Sequence, residues 1–368
     1  MQMPLLRPTV AEVDLLKLSR NIKKVKSFLK NGESLLVVLK ANAYGHGAVE
    51  LGRYLQEENL CELFGTASVE EGLQLRNQGI HLPILVLGSI YSEEAFEYAI
   101  RNHLAVTIAS AEAAKTVSRV ARRLGKKALC HIKQDTGMGR IGTRRNGVVA
   151  LLEEMSKNPD VILDGLYTHL SSVYSDPAYT EEQIGYFRDT LTHVSLKGIH
   201  VNYHHMAASD ACLARTDTHC NLVRTGHAAF GLQEGFEPIL SLKTRVVYVK
   251  DLPAGFSVSY NRSFIAPQPM KVATLPLGYG DGYLRALSNK AEVLIKGRRC
   301  RVLGNVTMDM LMVDISHVED VKVGEEVVVV GRQGDEEITW KELADIAGTI
   351  DYELCTLLMP RVPRIYKK

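Results

Sequence analysis

Short apolar runs rich in β-branched residues recur through the first two thirds of the chain, at 35–39, 63–67, 84–87, 105–108, 128–132, 161–168, 199–205 and 222–230. Between them, at 48–58, 69–78, 93–102, 111–124 and 181–194, apolar residues return every three or four positions, the spacing of a helix with one buried stripe. Runs this apolar suit parallel strands covered on both faces. Eight of them alternating with helices predict an α/β fold, a (β/α)8 TIM-like barrel, although an open doubly wound sheet has the same periodicity. The polar residues favour the barrel. Lys40, the 133–140 region, His169, Ser209 and Arg224 with Gly226 follow the ends of five different strands, and barrels collect their sites at that end.

After position 231 the rhythm changes to short strands at 239–250, 270–276, 291–295, 299–303, 310–315 and 326–331, with only 341–346 looking helical. This predicts a mostly β C-terminal domain. We place the domains at 1–235 and 236–368, the opening residues up to about position 10 being free to join the second domain.

With 46% apolar and 23% charged residues, the chain suits a globular protein that buries more than one core. A formal charge of only +2, with Lys and Arg scattered, lacks the footprint of a nucleic-acid binder, and a small-molecule partner is expected instead. There is no apolar stretch long enough to span a membrane and no leader pattern in residues 1–8, so the expected location is cytoplasmic. Six dispersed cysteines without a CxxC pair signal neither zinc nor disulfides, and no metal site is predicted.

The chemistry begins at Lys40, in Val37-Val38-Leu39-Lys40-Ala41-Asn42-Ala43-Tyr44-Gly45-His46-Gly47. A lysine closing a buried run must either lower its pKa or turn its amine into something else, such as an imine. Further motifs follow in order: His131-Ile132-Lys133-Gln134-Asp135-Thr136-Gly137-Met138-Gly139-Arg140, Val223-Arg224-Thr225-Gly226, Val258-Ser259-Tyr260, Gly278-Tyr279-Gly280-Asp281-Gly282 and Met308-Asp309.

Together these segments resemble the alanine racemases, over about 7–366. The resemblance implies an isomerase that uses pyridoxal 5′-phosphate, works as a homodimer with shared active sites and serves D-alanine biosynthesis. It implies that Lys40 holds the cofactor and acts as base on one face of the substrate, while Tyr260 of the partner subunit acts on the other. It places His169 against the cofactor ring and Arg224 at the pyridine nitrogen. The phosphate falls to Tyr44, Ser209, Gly226, His227 and Tyr352. Arg140 takes the substrate carboxylate, with Met308, Asp309 and Tyr279 completing the pocket. Lys133 matches a lysine that in many members is carbamylated and positions the arginine.

Three positions depart from the family pattern: Asn261 where glycine is usual, Ala208 where asparagine is common, and Asn305 where arginine is frequent. They loosen the expectation of alanine as substrate, leaving a racemase for serine, lysine or a broader set as the alternative. A barrel decarboxylase would want an acidic residue where Arg224 stands, and a non-catalytic cofactor barrel would not need the residues after 231.

Overall fold

The structure, a computed structural model, describes residues 6–368 apart from the side chains of Arg145 and Asn146; the opening stretch read for a leader lies partly outside them. The chain divides into two compact units, 19–43 with 47–236, and a second made of the first 18 residues, 44–46 and 237–368.

In the first unit, eight parallel strands among the described residues line up in one sheet: Ser34–Val38, Leu63–Thr66, Ile84–Ser89, Leu104–Ile108, Ala128–Lys133, Val161–Tyr167, Tyr203–His205 and Leu222–Thr225. Ser34–Val38 lies between Leu63–Thr66 and Leu222–Thr225, which leaves Leu222–Thr225 and Tyr203–His205 as the two ends of the sheet. Its two ends meet where the Arg224 N–H reaches the Ala207 carbonyl at 3.1 Å and the Asn221 side chain accepts the His204 N–H at 2.7 Å. The barrel expected from periodicity is present, nearly closed. Helices follow most strands, and their starts are chemically marked: Ser68, Ser92 and Ser110 each accept an N–H three residues on. The last two predicted strands, 199–205 and 222–230, shrink to three and four residues. The chain leaves them early to build the short helix Ser209–Ala214 and the turn after Thr225.

The second unit is built on a ten-stranded sheet. Val10–Asp14 pairs antiparallel with Leu240–Arg245 and parallel with Arg364–Lys367, which joins both ends of the chain to this unit. Besides Trp340–Ala347, it carries a second helix, Asp351–Leu357, that the single predicted helical segment missed. That helix is too short for apolar periodicity to show, and it lacks a side-chain cap.

Candidate active site

Lys40 stands directly after the strand Ser34–Val38, at the start of an unusual turn. Ala41, Asn42, Ala43 and Tyr44 all have φ between 50° and 55°, the left-handed conformation that costs a residue with a Cβ roughly 1–2 kcal/mol. Specific bonds compensate. The Glu71 carboxylate accepts the N–H groups of Ala41 and Ala67 at 2.7 Å each, Ala43 donates to the Leu39 carbonyl at 2.8 Å, and the Asn42 side chain accepts the N–H of Ala48 at 2.9 Å. The turn swings the lysine off the strand axis. Burial pulls the Lys40 amine below its usual pKa, the Arg140 and Arg224 cations add to this, and Glu71 opposes it.

Arg224 is buried at the end of its strand, and burial lowers its pKa to about 10, which leaves it a cation at neutral pH. Its Nη1 donates to His205 Nδ1 at 2.8 Å, and its Nη2 donates to the carbonyls of Thr168 (2.9 Å) and Met206 (3.0 Å) and to His169 Nδ1 (3.3 Å). No carboxylate bonds Arg224 among the described residues, and its Nε–H enters none of these bonds. His169 is held neutral by burial and by the charges of Arg224, Lys133, Arg140 and Lys40. One imidazole thus faces Lys40, Lys133, Arg140 and Arg224 together. Lys133 is buried, donates to the Gln134 carbonyl at 3.0 Å and lies 5.1 Å above the Tyr167 ring; burial and Arg224 bring its pKa down to about 7.

Arg140 is exposed on a loop organised by Asp135, whose Oδ1 accepts the N–H groups of Gly137 (3.1 Å) and Gly139 (3.0 Å). Close approach explains Gly137: a Cβ there would stand 2.2 Å from the Tyr179 hydroxyl. On the far side of the barrel mouth, Ser209 Oγ accepts from the Gly226 and Ala228 N–H groups at 3.4 and 3.3 Å. The His227 side chain turns to Gln233, with Nδ1 2.9 Å from Oε1.

In the second unit, Tyr44 and Tyr352 meet edge to face at 6.3 Å, and burial with the Tyr352 neighbour lifts the Tyr44 hydroxyl to about 12. Tyr260 is 70% exposed, on a tight turn whose Ser259, Asn261 and Arg262 have positive φ. Asn261 takes the left-handed conformation in place of glycine, as the residue type allows. Asn305 donates to the Tyr260 carbonyl at 2.9 Å, and the Ser259 hydroxyl donates to the Asn305 carbonyl at 2.5 Å. Tyr279, Met308 and Asp309 are exposed on adjoining loops, tied by the Tyr279 N–H to Thr307 and the Gly280 N–H to Met308, at 3.0 and 2.9 Å.

Two family models match this chain: alanine racemase, N-terminal domain, over 13–234, and alanine racemase, C-terminal domain, over 239–366. The chain belongs to the alanine racemase family. It is 42% identical to an alanine racemase of Symbiobacterium thermophilum, with 98% of this chain and 97% of that protein covered, and 40% identical to one of Carboxydothermus hydrogenoformans, with 98% and 100% covered. Among solved structures it resembles alanine racemase of Clostridium difficile 630 (TM-score 0.94, 33% identity, 99% and 97% covered) and that of Bacillus anthracis with bound L-Ala-P (TM-score 0.93, 33% identity, 100% and 96% covered). Members of the family are isomerases, and the (β/α)8 barrel with a mostly β second domain is its fold.

Several supporting residues escaped sequence reasoning. Glu71 is thirty-one residues from Lys40 and is one acid among several on its helix. His205, which bonds Arg224, ends its strand. Asp281 stands in the Gly278–Gly282 motif without a role assigned to it, yet it is buried and bonds both Arg7 and Arg361, which also reach the Pro276 and Met308 carbonyls at 2.7 and 3.2 Å. Only His205 carried a signal, an imidazole closing a strand, which requires a partner when buried.

Proposed function

We propose that this chain interconverts L-alanine and D-alanine with pyridoxal 5′-phosphate, as a homodimer. The observation that carries the reading is the barrel-mouth cluster, in which a partly desolvated Lys40 sits among cations with an acid-free Arg224. The donor set fits the cofactor. In the barrel unit Ser209 with the Gly226 and Ala228 N–H groups suits a phosphate, Arg224 has its Nε–H to offer a pyridine nitrogen and Lys40 has an amine for covalent attachment; in the second unit the Tyr44 and Tyr352 hydroxyls are further phosphate donors by type. When bound, the group supplies an electron sink that makes the α-proton of an amino acid removable. Arginine is donor-only and stays charged, so Arg224 leaves a pyridine nitrogen unprotonated and the sink modest. This favours returning the proton over losing carboxylate, and it counts against the decarboxylase reading.

Arg140 binds the substrate carboxylate through its planar fork. Lys40 Nζ, whose lowered pKa makes the neutral amine accessible, takes or returns the α-proton on one face. The hydroxyl of Tyr260 of the partner subunit does so on the other. With Tyr260 stand Phe256, Met308, Ile265, Met310 and Tyr279 as large exposed apolar side chains of this unit, a surface that a second copy of the chain would cover. Met308, Asp309 and Tyr279 border the substrate. Lys133 is carbamylated in this reading: its amine adds to carbon dioxide, forming an N–C bond and releasing a proton, and the carboxylate so made faces the arginines that repel a bare ammonium. Native mass spectra with one carbon dioxide per chain, lost in Lys133→Ala, support that step; an unmodified amine in bicarbonate buffer ends it.

The decisive assay is D-alanine formation from L-alanine by the loaded protein, with serine and lysine as competing substrates. Faster turnover of either would move the assignment to the broader racemase reading. Lys40→Ala and Tyr260→Phe are each expected to be inactive, and a refolded equimolar mixture to recover about a quarter of native activity, because half the dimers are mixed and each holds one intact site. No recovery would place the two groups in one chain.

A further inference from the structure

Arg224 is a buried cation without an adjacent carboxylate among the described residues, yet a line of hydrogen bonds leads from it through the barrel to an acid. His205 Nδ1 accepts from Arg224 Nη1 at 2.8 Å, His205 Nε2 lies 3.1 Å from His131 Nδ1, and His131 Nε2 lies 3.2 Å from Asp164 Oδ2. Both imidazoles are completely buried. The path crosses from Leu222–Thr225 to Tyr203–His205, passes over Val161–Tyr167 to Ala128–Lys133, and returns to Val161–Tyr167. Two local features make it possible. Pairing between Ala128–Lys133 and Val161–Tyr167 slips at Asp164, where Cys130 opposes Leu163 and His131 opposes Gly165, so that a bulge turns the Asp164 side chain toward His131. A Cβ on residue 165 would stand 2.0 Å from His131 Nδ1, so only glycine leaves room for that ring.

We propose that Asp164, remote from the barrel mouth, is a positioning residue that acts through His131 and His205 to fix the orientation of Arg224. The logic is donor counting. Arginine can only donate and an ionised carboxylate can only accept, so two neutral imidazoles between them have one consistent arrangement, with a proton on each Nε2 and a lone pair on each Nδ1. Protonating either ring, or switching its tautomer, sets N–H against N–H somewhere along the line. Hydrogen bonds from His131 and Asn202 hold the Asp164 carboxyl below its usual range despite burial, which keeps the accepting end ionised. His205 also stacks on Tyr167, with ring centres 4.6 Å apart and planes within 4°, so it cannot tilt to escape a mismatch. The consequence for Arg224 rests on the racemase reading; the tautomers do not.

The test is Asp164→Asn. Asp164 Oδ1 already accepts the Asn202 amide at 2.8 Å, and the Asn202 oxygen is engaged 3.1 Å from His200 Nε2. An asparagine would therefore have to present its NH2 either to His131 or to Asn202, and both are donors. In the native protein loaded with pyridoxal phosphate, selectively 15N-labelled histidine is expected to show His131 and His205 as Nε2–H tautomers. In Asp164→Asn, one or both should show a second tautomer, kcat on alanine should fall about tenfold with KM changed less than twofold, and Asp164→Glu should restore both readouts. A proton on Nδ1 of either ring in the native protein overturns the proposal, and that measurement needs no variant to fold. Unchanged tautomers in Asp164→Asn overturn it too, and altered tautomers with unchanged kcat overturn the link to Arg224. If the native protein fails to racemise alanine while showing these tautomers, the functional reading fails and the relay stands.

Discussion

At the scale of single residues, charge placed in or near the barrel interior governs behaviour. Lys133 shows this most clearly. The unfolded chain holds a proton on this lysine up to about pH 10.5, whereas the folded chain, if the amine is unmodified, releases it at about 7. Between those values unfolding takes up a proton, so stability rises with pH there, by up to about 1.4 kcal/mol per unit from this group. In carbon dioxide-free buffer, Lys133→Met should therefore be more stable than the native protein at pH 6, with the advantage fading toward pH 9; urea midpoints at matched pH would check it, and a difference independent of pH would contradict it. Glu71 gives a second case. Glu71→Gln removes the negative charge that supports the Lys40 ammonium and weakens two backbone bonds, so the protein should lose about 1–3 kcal/mol on urea unfolding. The pH midpoint for covalent capture of pyridoxal phosphate should also shift downward, because a less supported ammonium deprotonates earlier. A shift upward would show that Glu71 does not act on Lys40.

At the scale of elements, three of the turns that carry candidate groups are each tied by an acid, buried at Asp135 and Asp281 and half-buried at Glu71. Asp135 ties the loop of Arg140, Glu71 the left-handed turn after Lys40, and Asp281 the loop of Tyr279. Asp281 also accepts from the Gly278 N–H at 2.8 Å, and a Cβ on residue 278 would lie 2.2 Å from the Thr307 carbonyl, so the two loops close on one another. Asp281→Ala strands Arg7 and Arg361 beside an emptied site and is expected to cost roughly 3 kcal/mol, the low end for removing one partner of a buried pair because both arginines are partly exposed. Thermal unfolding measures this, and a loss below 1 kcal/mol would mean that the loops hold without the acid. Element order was legible in the sequence because apolar runs of period two and stripes of period 3.6 are local properties. The bulge at Asp164 was not, since strict alternation sends Asp164 and Gly165 to opposite faces and only pairing with the neighbouring strand reveals the slip.

At the scale of the whole molecule, the second unit presents Tyr260 to solvent together with large apolar side chains, and the proposed dimer would cover them. Phe256→Asp with Ile265→Asp, both on exposed positions, is expected to yield a folded monomer without racemase activity, detected by sedimentation alongside circular dichroism. Full activity in a monomer would assign Tyr260 no part in a partner's site.

The sequence by itself determined the barrel, the β-rich second domain and the family, and it nominated the groups proposed for the chemistry, because strand and helix periods and motif residues are written in neighbouring positions. Tertiary structure decided how those groups are supported. It alone set four left-handed residues after Lys40 against a carboxylate thirty positions beyond Ala41, gathered two lysines and two arginines around His169, and threaded Arg224 to Asp164 through two imidazoles. Such support depends on distance and desolvation between strands remote in the chain, and neither quantity exists until the barrel has closed.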